Sequence, residues 1–395
     1  MVTTASLFNQ LLKHFSRTEL AQLVKKHKAE HGAKGFDCWT QLVSMLFCQL
    51  ARAESLREIC NGLQCCSGKL VHLGLRRGPS RSTLAYANKR RPAALFEDLF
   101  WTLTQRFRDQ QAFGPRPRQF RFNNKLLSLD STTISLCLNL FPWAKFKTTK
   151  GGVKAHVLLD HDDYMPRFVA LTNANVADIR MARSMPLPPL SIVVSDRAYS
   201  HFATLYQWTE RGVFFVGRVS DGPLYEVIGT RKVDGRILKD ETVQFTGRYS
   251  GLYKAPLRRL VIAIEDKDPL VVLTNIFHFA ASTIAAIYKE RWKIEVFFKT
   301  LKQNLKIKTF VGTSENALAI QIWTALITLL LLRWLHHLSK AKWSWSNLAS
   351  LLRLNLFTYR DLLAWLNDPF QTPPLEPQSQ QLDLLLPALG HLMPS

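Results

Sequence analysis

The stretch Ile287-Tyr288-Lys289-Glu290-Arg291-Trp292-Lys293-Ile294-Glu295-Val296-Phe297-Phe298-Lys299-Thr300-Leu301-Lys302 constrains this chain more than any other. It holds no Gly or Pro, and Ile287, Ile294, Phe298 and Leu301 recur at helical spacing. It therefore predicts one helix, with Ser282 or Thr283 as its N-cap. At about 100° per residue, Tyr288, Arg291, Glu295 and Lys302 share an arc of roughly 60°. A carboxylate is thus flanked along one stripe by a phenol, a guanidinium and an ammonium. Carboxylates hold hard divalent cations, while Arg, Lys and Tyr hold phosphate oxygens, the Arg in a fork. The stripe suits a metal-bound phosphodiester. The bland alternative is a solvated helix face, the usual meaning of spaced Glu and Lys.

A polyanionic partner is expected on independent grounds. Lys and Arg number 52 against 30 acids, a formal charge of +22, and nucleic acid is the partner such an excess suits best. Residues 1–115 read as a helical N-terminal DNA-binding domain. Helices are expected around Phe8–Phe15, over Asp37–Arg52, from Ser55 to near Gly62, and from Pro79 to Arg91, with Ser80 or Ser82 as cap. Arg76, Arg77, Arg81, Lys89, Arg90 and Arg91 surround the last, which suggests a helix-turn-helix with Arg81, Lys89, Arg90 and Arg91 on DNA. A plain helical bundle is the competing reading. Gly114-Pro115-Arg116-Pro117-Arg118 reads as a linker.

After that linker the pattern turns to strands. Lys125–Leu136 is a long strand candidate with Asp130 in its middle, against strand propensity. Ala155–Asp160 and Phe168–Thr172 complete an antiparallel meander, and Asp178–Met185 reads as a helix. Leu190–Asp196 is a short apolar run before a helix beginning near Ala198, the pattern of a buried parallel strand with Asp196 at its carboxyl end. Val213–Val216 is a further strand. That order matches a ribonuclease H-like fold, in which the first strand carries one Asp, the fourth ends in another, and a later helix supplies the last acid. Asp130, Asp196 and Glu295 occupy those places.

The expected class is α/β. A ribonuclease H-like catalytic core, a mixed sheet with flanking helices, spans 120–217 and is interrupted by a β-rich insertion at 218–276. The core helix with Glu295 follows at 277–310, then a helical C-terminal region at 311–370 and a flexible tail at 371–395. Leu318–Leu335 is apolar but carries Gln321, Thr324, Thr328 and Arg333, which marks a buried helix and no membrane span. The six cysteines form no CxxC pair and read as reduced thiols in a cytoplasmic protein. His336-His337 read as a helix end, and Asp160, Asp162 and Asp163 as a polar turn.

Tyr288-x2-Arg291-x3-Glu295-x6-Lys302 resembles the signature of the insertion-sequence-four family of bacterial DDE transposases, and Trp292 and Ile294 fill its gaps as that family commonly does. Asp196 with Tyr199 also fits, and Phe8-Asn9-Gln10-Leu11 and Arg81-Ser82-Thr83-Leu84 resemble the N-terminal domain of one subgroup. The resemblance implies an enzyme that binds the terminal inverted repeats of its element and carries out metal-dependent cleavage and strand transfer on double-stranded DNA. It further implies a homodimer on two ends, in the bacterial cytoplasm at the nucleoid. Asp130, Asp196 and Glu295 would be catalytic and hold Mg²⁺, with Mn²⁺ able to substitute; Tyr288, Arg291 and Lys302 would hold DNA. No Trp lies between Trp208 and Trp292, where better-studied members place one to receive a flipped base. Either no hairpin intermediate forms, or an aromatic such as Tyr249 or Tyr253 takes that place. Two rival functions are a helix-turn-helix repressor with an inactive core and a metal-dependent nuclease without strand transfer.

Overall fold

The computed structural model describes residues 5–33, 35–113, 119–147, 150–219, 222–307 and 309–374. The linker expected at 114–118 and the tail from 375 lie outside them.

The N-terminal region forms α1 (Leu7–Leu12), α2 (Arg17–Lys26), α3 (Cys38–Ala51), α4 (Leu56–Gln64), α5 (Arg81–Arg90) and α6 (Ala94–Asp109). The side chains of Ser6, Ser16, Asp37, Ser55 and Ser80 accept the backbone N–H three residues on, so each of the first five helices has a capped start. The tight turn, however, joins α3 to α4. The basic helix α5 follows a longer connection containing two single 3-10 turns, which departs from the expected helix-turn-helix.

Ten strands follow: β1 (Leu126–Leu136), β2 (Lys145–Lys147), β3 (Lys150–Asp160), β4 (Pro166–Asn173), β5 (Ile192–Ser195), β6 (Phe214–Arg218), β7 (Tyr225–Thr230), β8 (Ile237–Phe245), β9 (Leu257–Ile264) and β10 (Lys267–Thr274). Helices α7 (Asp178–Ser184) and α8 (Phe202–Glu210) flank β5. β4, β3 and β1 pair antiparallel, and β1, β5 and β6 run parallel. This is the ribonuclease H-like order. The β-rich insertion is not a separate layer: β10 pairs with β6, so β10-β9-β8-β7 extend the same sheet. Its adjacent arginines on β9 are ion-paired, Arg258 to Asp240 and Arg259 to Glu241, each at 2.7 Å. Arg258 is also bonded to the Phe279 carbonyl at 2.6 Å, which fastens the insertion to the entry of the next helix.

The organising stretch is two helices, α9 (Ala281–Glu290) and α10 (Trp292–Asn304), rather than one. Ala280 precedes α9 without a side-chain cap, so neither Ser282 nor Thr283 serves. The ladder tightens at the join, where Arg291 N–H bonds the Tyr288 carbonyl and Ile294 N–H bonds the Arg291 carbonyl. Buried Glu290 at this join lies 3.8 Å from His161, whose other ring nitrogen is 2.7 Å from Ser128 on β1.

α11 (Glu315–Leu338), α12 (Trp345–Asn355) and α13 (Leu362–Asn367) close the chain. α11 is long and apolar enough to cross a membrane by length and composition, yet 83% of its most apolar window is buried. It packs against α3, α5 and α6, so N- and C-terminal helices share one core. Buried amides seal the seam. Gln49 accepts from Lys306 N–H at 2.8 Å, and Gln321 donates to the Lys306 and Thr309 carbonyls at 2.8 Å, fixing the turn after α10. The polar turn after β3 is an anchor as well, Asp163 pairing with Arg108 of α6 at 2.6 Å. His336 lies in the last turn of α11, stacked on Trp345. All six cysteines are free thiols.

Candidate active site

In the parallel pair β1–β5, Leu129 stands opposite Ser195, where β5 stops. Asp130 follows on β1, and Asp196 lies one residue past the end of β5, at the same level. Beyond Leu129 the β5 side of β1 has no partner strand, and Asp130 pairs only with Val157 of β3. That open edge explains an aspartate in mid-strand. Asp130 accepts the Ser131 N–H at 2.7 Å, and Asp196 caps a 3-10 turn by accepting the Ala198 N–H at 2.9 Å.

α10 crosses β1, with Lys302 Nζ donating to the Thr133 carbonyl at 3.2 Å. Glu295, in the first turn of α10, is ion-paired with Arg291 at 2.7 Å. The Arg291 guanidinium lies 5.9 Å from the Tyr288 ring centre. The join between α9 and α10 therefore keeps Tyr288, Arg291 and Glu295 together.

The electrostatics tie these groups into one site. Burial pushes the Asp130 carboxyl up to about 7; the charges of Asp196 and Glu295 add to this, while the Ser131 N–H and Arg291 oppose it. Asp196 is raised as well, first by burial and then by Asp178 and Glu295, against the Ala198 N–H and Arg291. Burial also raises the Tyr288 phenol, whereas Arg291 and Arg218 act to lower it. Mutually repelling, half-buried carboxylates are hard oxygen donors whose strain a divalent cation relieves. The donor chemistry thus fits such an ion. Among the described residues no three His, Cys, Asp or Glu side chains close into a finished cage, so Asp130, Asp196 and Glu295 share a field without enclosing an ion.

Of the residues expected on DNA, Arg81, Lys89 and Arg90 are exposed along α5. Arg91 is not. It is buried, with its guanidinium on the carbonyls of Asp37 at 2.9 Å and of Phe36, and on Gln41 at 3.1 Å, because α5 ends there against α3. Tyr253 is likewise removed as a base acceptor: it is fully buried and its hydroxyl is 2.9 Å from Thr209. Tyr249 is half-buried against Phe202 and Phe245. Two neighbours of the site escaped sequence reasoning. Asp178 faces Ser131 and Tyr199, and Arg218 ends β6 near Tyr288. Only the pairing of distant strands brings them there.

The family described as "Transposase DDE domain" matches residues 122–331, and "Domain of unknown function (DUF4372)" matches residues 3–76. Over 311 residues the chain is 33% identical to y4zB of Sinorhizobium fredii, named as a transposase, covering 77% of this chain and 83% of that protein. It is 32% identical over 229 residues to a transposase of the insertion sequence element IS5377 from Geobacillus stearothermophilus, covering 56% of this chain and 60% of that protein. The solved piggyBac transposase synaptic complex with hairpin DNA overlaps 93% of this chain and 80% of its own at 9% identity and a TM-score of 0.43, too weak a likeness to carry weight. Transposases of this domain family cleave and join DNA and use divalent metal ions. The domain match, which spans Asp130, Asp196 and the Tyr288–Lys302 stripe, places the chain in the DDE transposase family, among the insertion-sequence-four-like DNA transposases.

Proposed function

We propose that Asp130, Asp196 and Glu295 are the catalytic carboxylates of a cut-and-paste transposase and together hold Mg²⁺, with Mn²⁺ able to substitute. The observation that carries this is the placement of Asp130 on β1 level with Asp196 at the end of the neighbouring parallel β5, with Glu295 electrostatically coupled to both. Two divalent ions, when bound, activate the attacking oxygen and stabilise the leaving one. The chain's own residues do the rest. Tyr288, Arg291 and Lys302 hold the phosphates beside the scissile bond, and Arg291 offsets the charge that develops there. The exposed cations Arg81, Lys89 and Arg90 grip the terminal inverted repeats, and two copies act on the two ends at the bacterial nucleoid. In this reading residues 1–115 bind the element ends and 120–310 form the interrupted catalytic core, the latter supported by the transposase-domain match over 122–331.

The test is cleavage of a labelled end fragment. Asp130→Asn, Asp196→Asn and Glu295→Gln should each abolish cleavage while leaving fragment binding within about twofold, and chelator should stop the wild type. Full cleavage by Glu295→Gln would remove Glu295 from the site. Binding without cleavage by the wild type would favour the repressor, and cleavage without joining would favour the nuclease.

A further inference from the structure

Asp178 opens α7, its side chain only 18% exposed. Its Oδ1 accepts from the Ser131 hydroxyl at 2.6 Å and from the Tyr199 hydroxyl at 3.5 Å. Its Oδ2 pairs with Lys154 Nζ at 3.2 Å, and the buried His156 Nδ1 lies 3.4 Å from Oδ1.

These partners are placed in a particular way. Ser131 follows Asp130, and its N–H is the one Asp130 accepts. Tyr199 ends the 3-10 turn that Asp196 caps. One carboxylate therefore accepts from a side-chain hydroxyl shortly beyond each aspartate, the Ser131 hydroxyl and the Tyr199 phenol. The contact lies beyond the last backbone pairing of the β1–β5 ladder, the Leu129–Ser195 pair, and Ser131 and Tyr199 also bond each other there. Lys154 also donates to the Val176 carbonyl at 3.3 Å, tying the segment before α7 to β3. Asp178 has both oxygens committed to hydroxyls and an ammonium, the arrangement of a support rather than of an ion ligand.

We propose that Asp178 is a positioning residue that bridges the open end of the β1–β5 ladder and fixes the separation of Asp130 and Asp196. The role rests on reading those two aspartates as the cation-holding pair. Losing a supporting partner of this kind typically weakens metal affinity or activity by about 10–100-fold.

The experiment uses full-length protein and two readouts, Mn²⁺ affinity by electron paramagnetic resonance without DNA and single-turnover cleavage of a pre-bound end fragment. Asp178→Ala should weaken Mn²⁺ binding and slow cleavage by roughly tenfold or more, with fragment affinity unchanged. Asp178→Asn keeps an acceptor for both hydroxyls and should recover most of both. Wild-type Mn²⁺ affinity and rate in Asp178→Ala would overturn the role. So would equal loss of Mn²⁺ binding in the Asn and Ala variants, which would mark a direct ligand. If Asp178→Ala does not fold, Ser131→Ala and Tyr199→Phe decide: each should slow cleavage severalfold with fragment binding intact, and wild-type rates in both would refute the bridge. A wild type that binds no Mn²⁺ would instead overturn the cation-holding assignment itself.

Discussion

Arg291 stands between Tyr288 and Glu295, and its fork is already engaged by the Glu295 carboxylate. A phosphate entering beside Asp130 must share that fork, which makes planar geometry matter more than charge. Arg291→Lys keeps the charge and loses the bidentate donor, so it should slow single-turnover cleavage substantially with a smaller loss in fragment binding. Lys302→Arg should be milder, because a point charge tolerates a displaced donor. Tyr288→Phe should cost about 1–3 kcal/mol in the cleavage barrier if its hydroxyl bonds a phosphate. Wild-type rates in all three would reduce the stripe to a helix face. A separate residue reports on pH. His156 is fully buried, and burial pushes its pKa from 6.5 down to about 4 despite the neighbouring Asp178. The unfolded chain therefore binds this proton before the folded one does. Its stabilising share is present above pH 6.5 and is lost as pH falls toward 4, by roughly 1–2 kcal/mol after allowance for solvent screening. Urea unfolding at pH 7 and pH 4.5 should show that loss, and His156→Gln should show less of it.

Elements were legible where local pattern decides them. The cap Ser80, the apolar runs of β1 and β5, and the long apolar run of α11 all announce themselves, and Asp130 was visible because a carboxylate in mid-strand needs a reason. The break at Arg291 was not legible; it falls beside Glu290, which is buried near His161 after β3, a contact that local pattern does not show. Arg91 misled for the same kind of reason: it looks like its basic neighbours, and only the packing of α5 on α3 turns it inward. The insertion carries a similar lesson in Arg258, a basic residue in the sequence that is 2% exposed. Its Nε and Nη2 bond Asp240 at 2.9 and 2.7 Å, and its Nη1 bonds the backbone entering α9. Removing one partner of a buried pair leaves an uncompensated charge. Arg258→Ala should therefore destabilise the fold by about 3–5 kcal/mol. Thermal unfolding checks this, and a melting temperature within a degree of wild type would show the pair to be dispensable. An Arg258→Met, Asp240→Leu double variant should recover much of the loss.

The formal charge of +22 belongs to the molecule as a whole, yet not every cation in it is available to DNA. Arg91 is engaged inside the N-terminal region, Arg258 and Arg259 are paired within the sheet, and Arg108 holds Asp163 between the sheet and α6. What remains on the surface includes Arg81, Lys89 and Arg90 along one exposed helix, itself packed on the core that α11 builds from both ends of the chain. A grip made by these cations releases counterions from the duplex. Affinity for an end fragment should then fall by about 0.9 log units per log unit of salt for each phosphate neutralised. Lys89→Ala with Arg90→Ala should flatten that slope by nearly two such contacts and leave the unfolding midpoint where it was. Arg91→Ala should do the reverse, lowering the midpoint through its lost carbonyl partners while leaving the slope of the folded protein unchanged. Fluorescence anisotropy across a salt series, beside thermal melts of the same three proteins, separates the two effects. An unchanged slope in the Lys89, Arg90 variant would move the DNA-facing surface away from α5, to the cations around the sheet and the C-terminal helices.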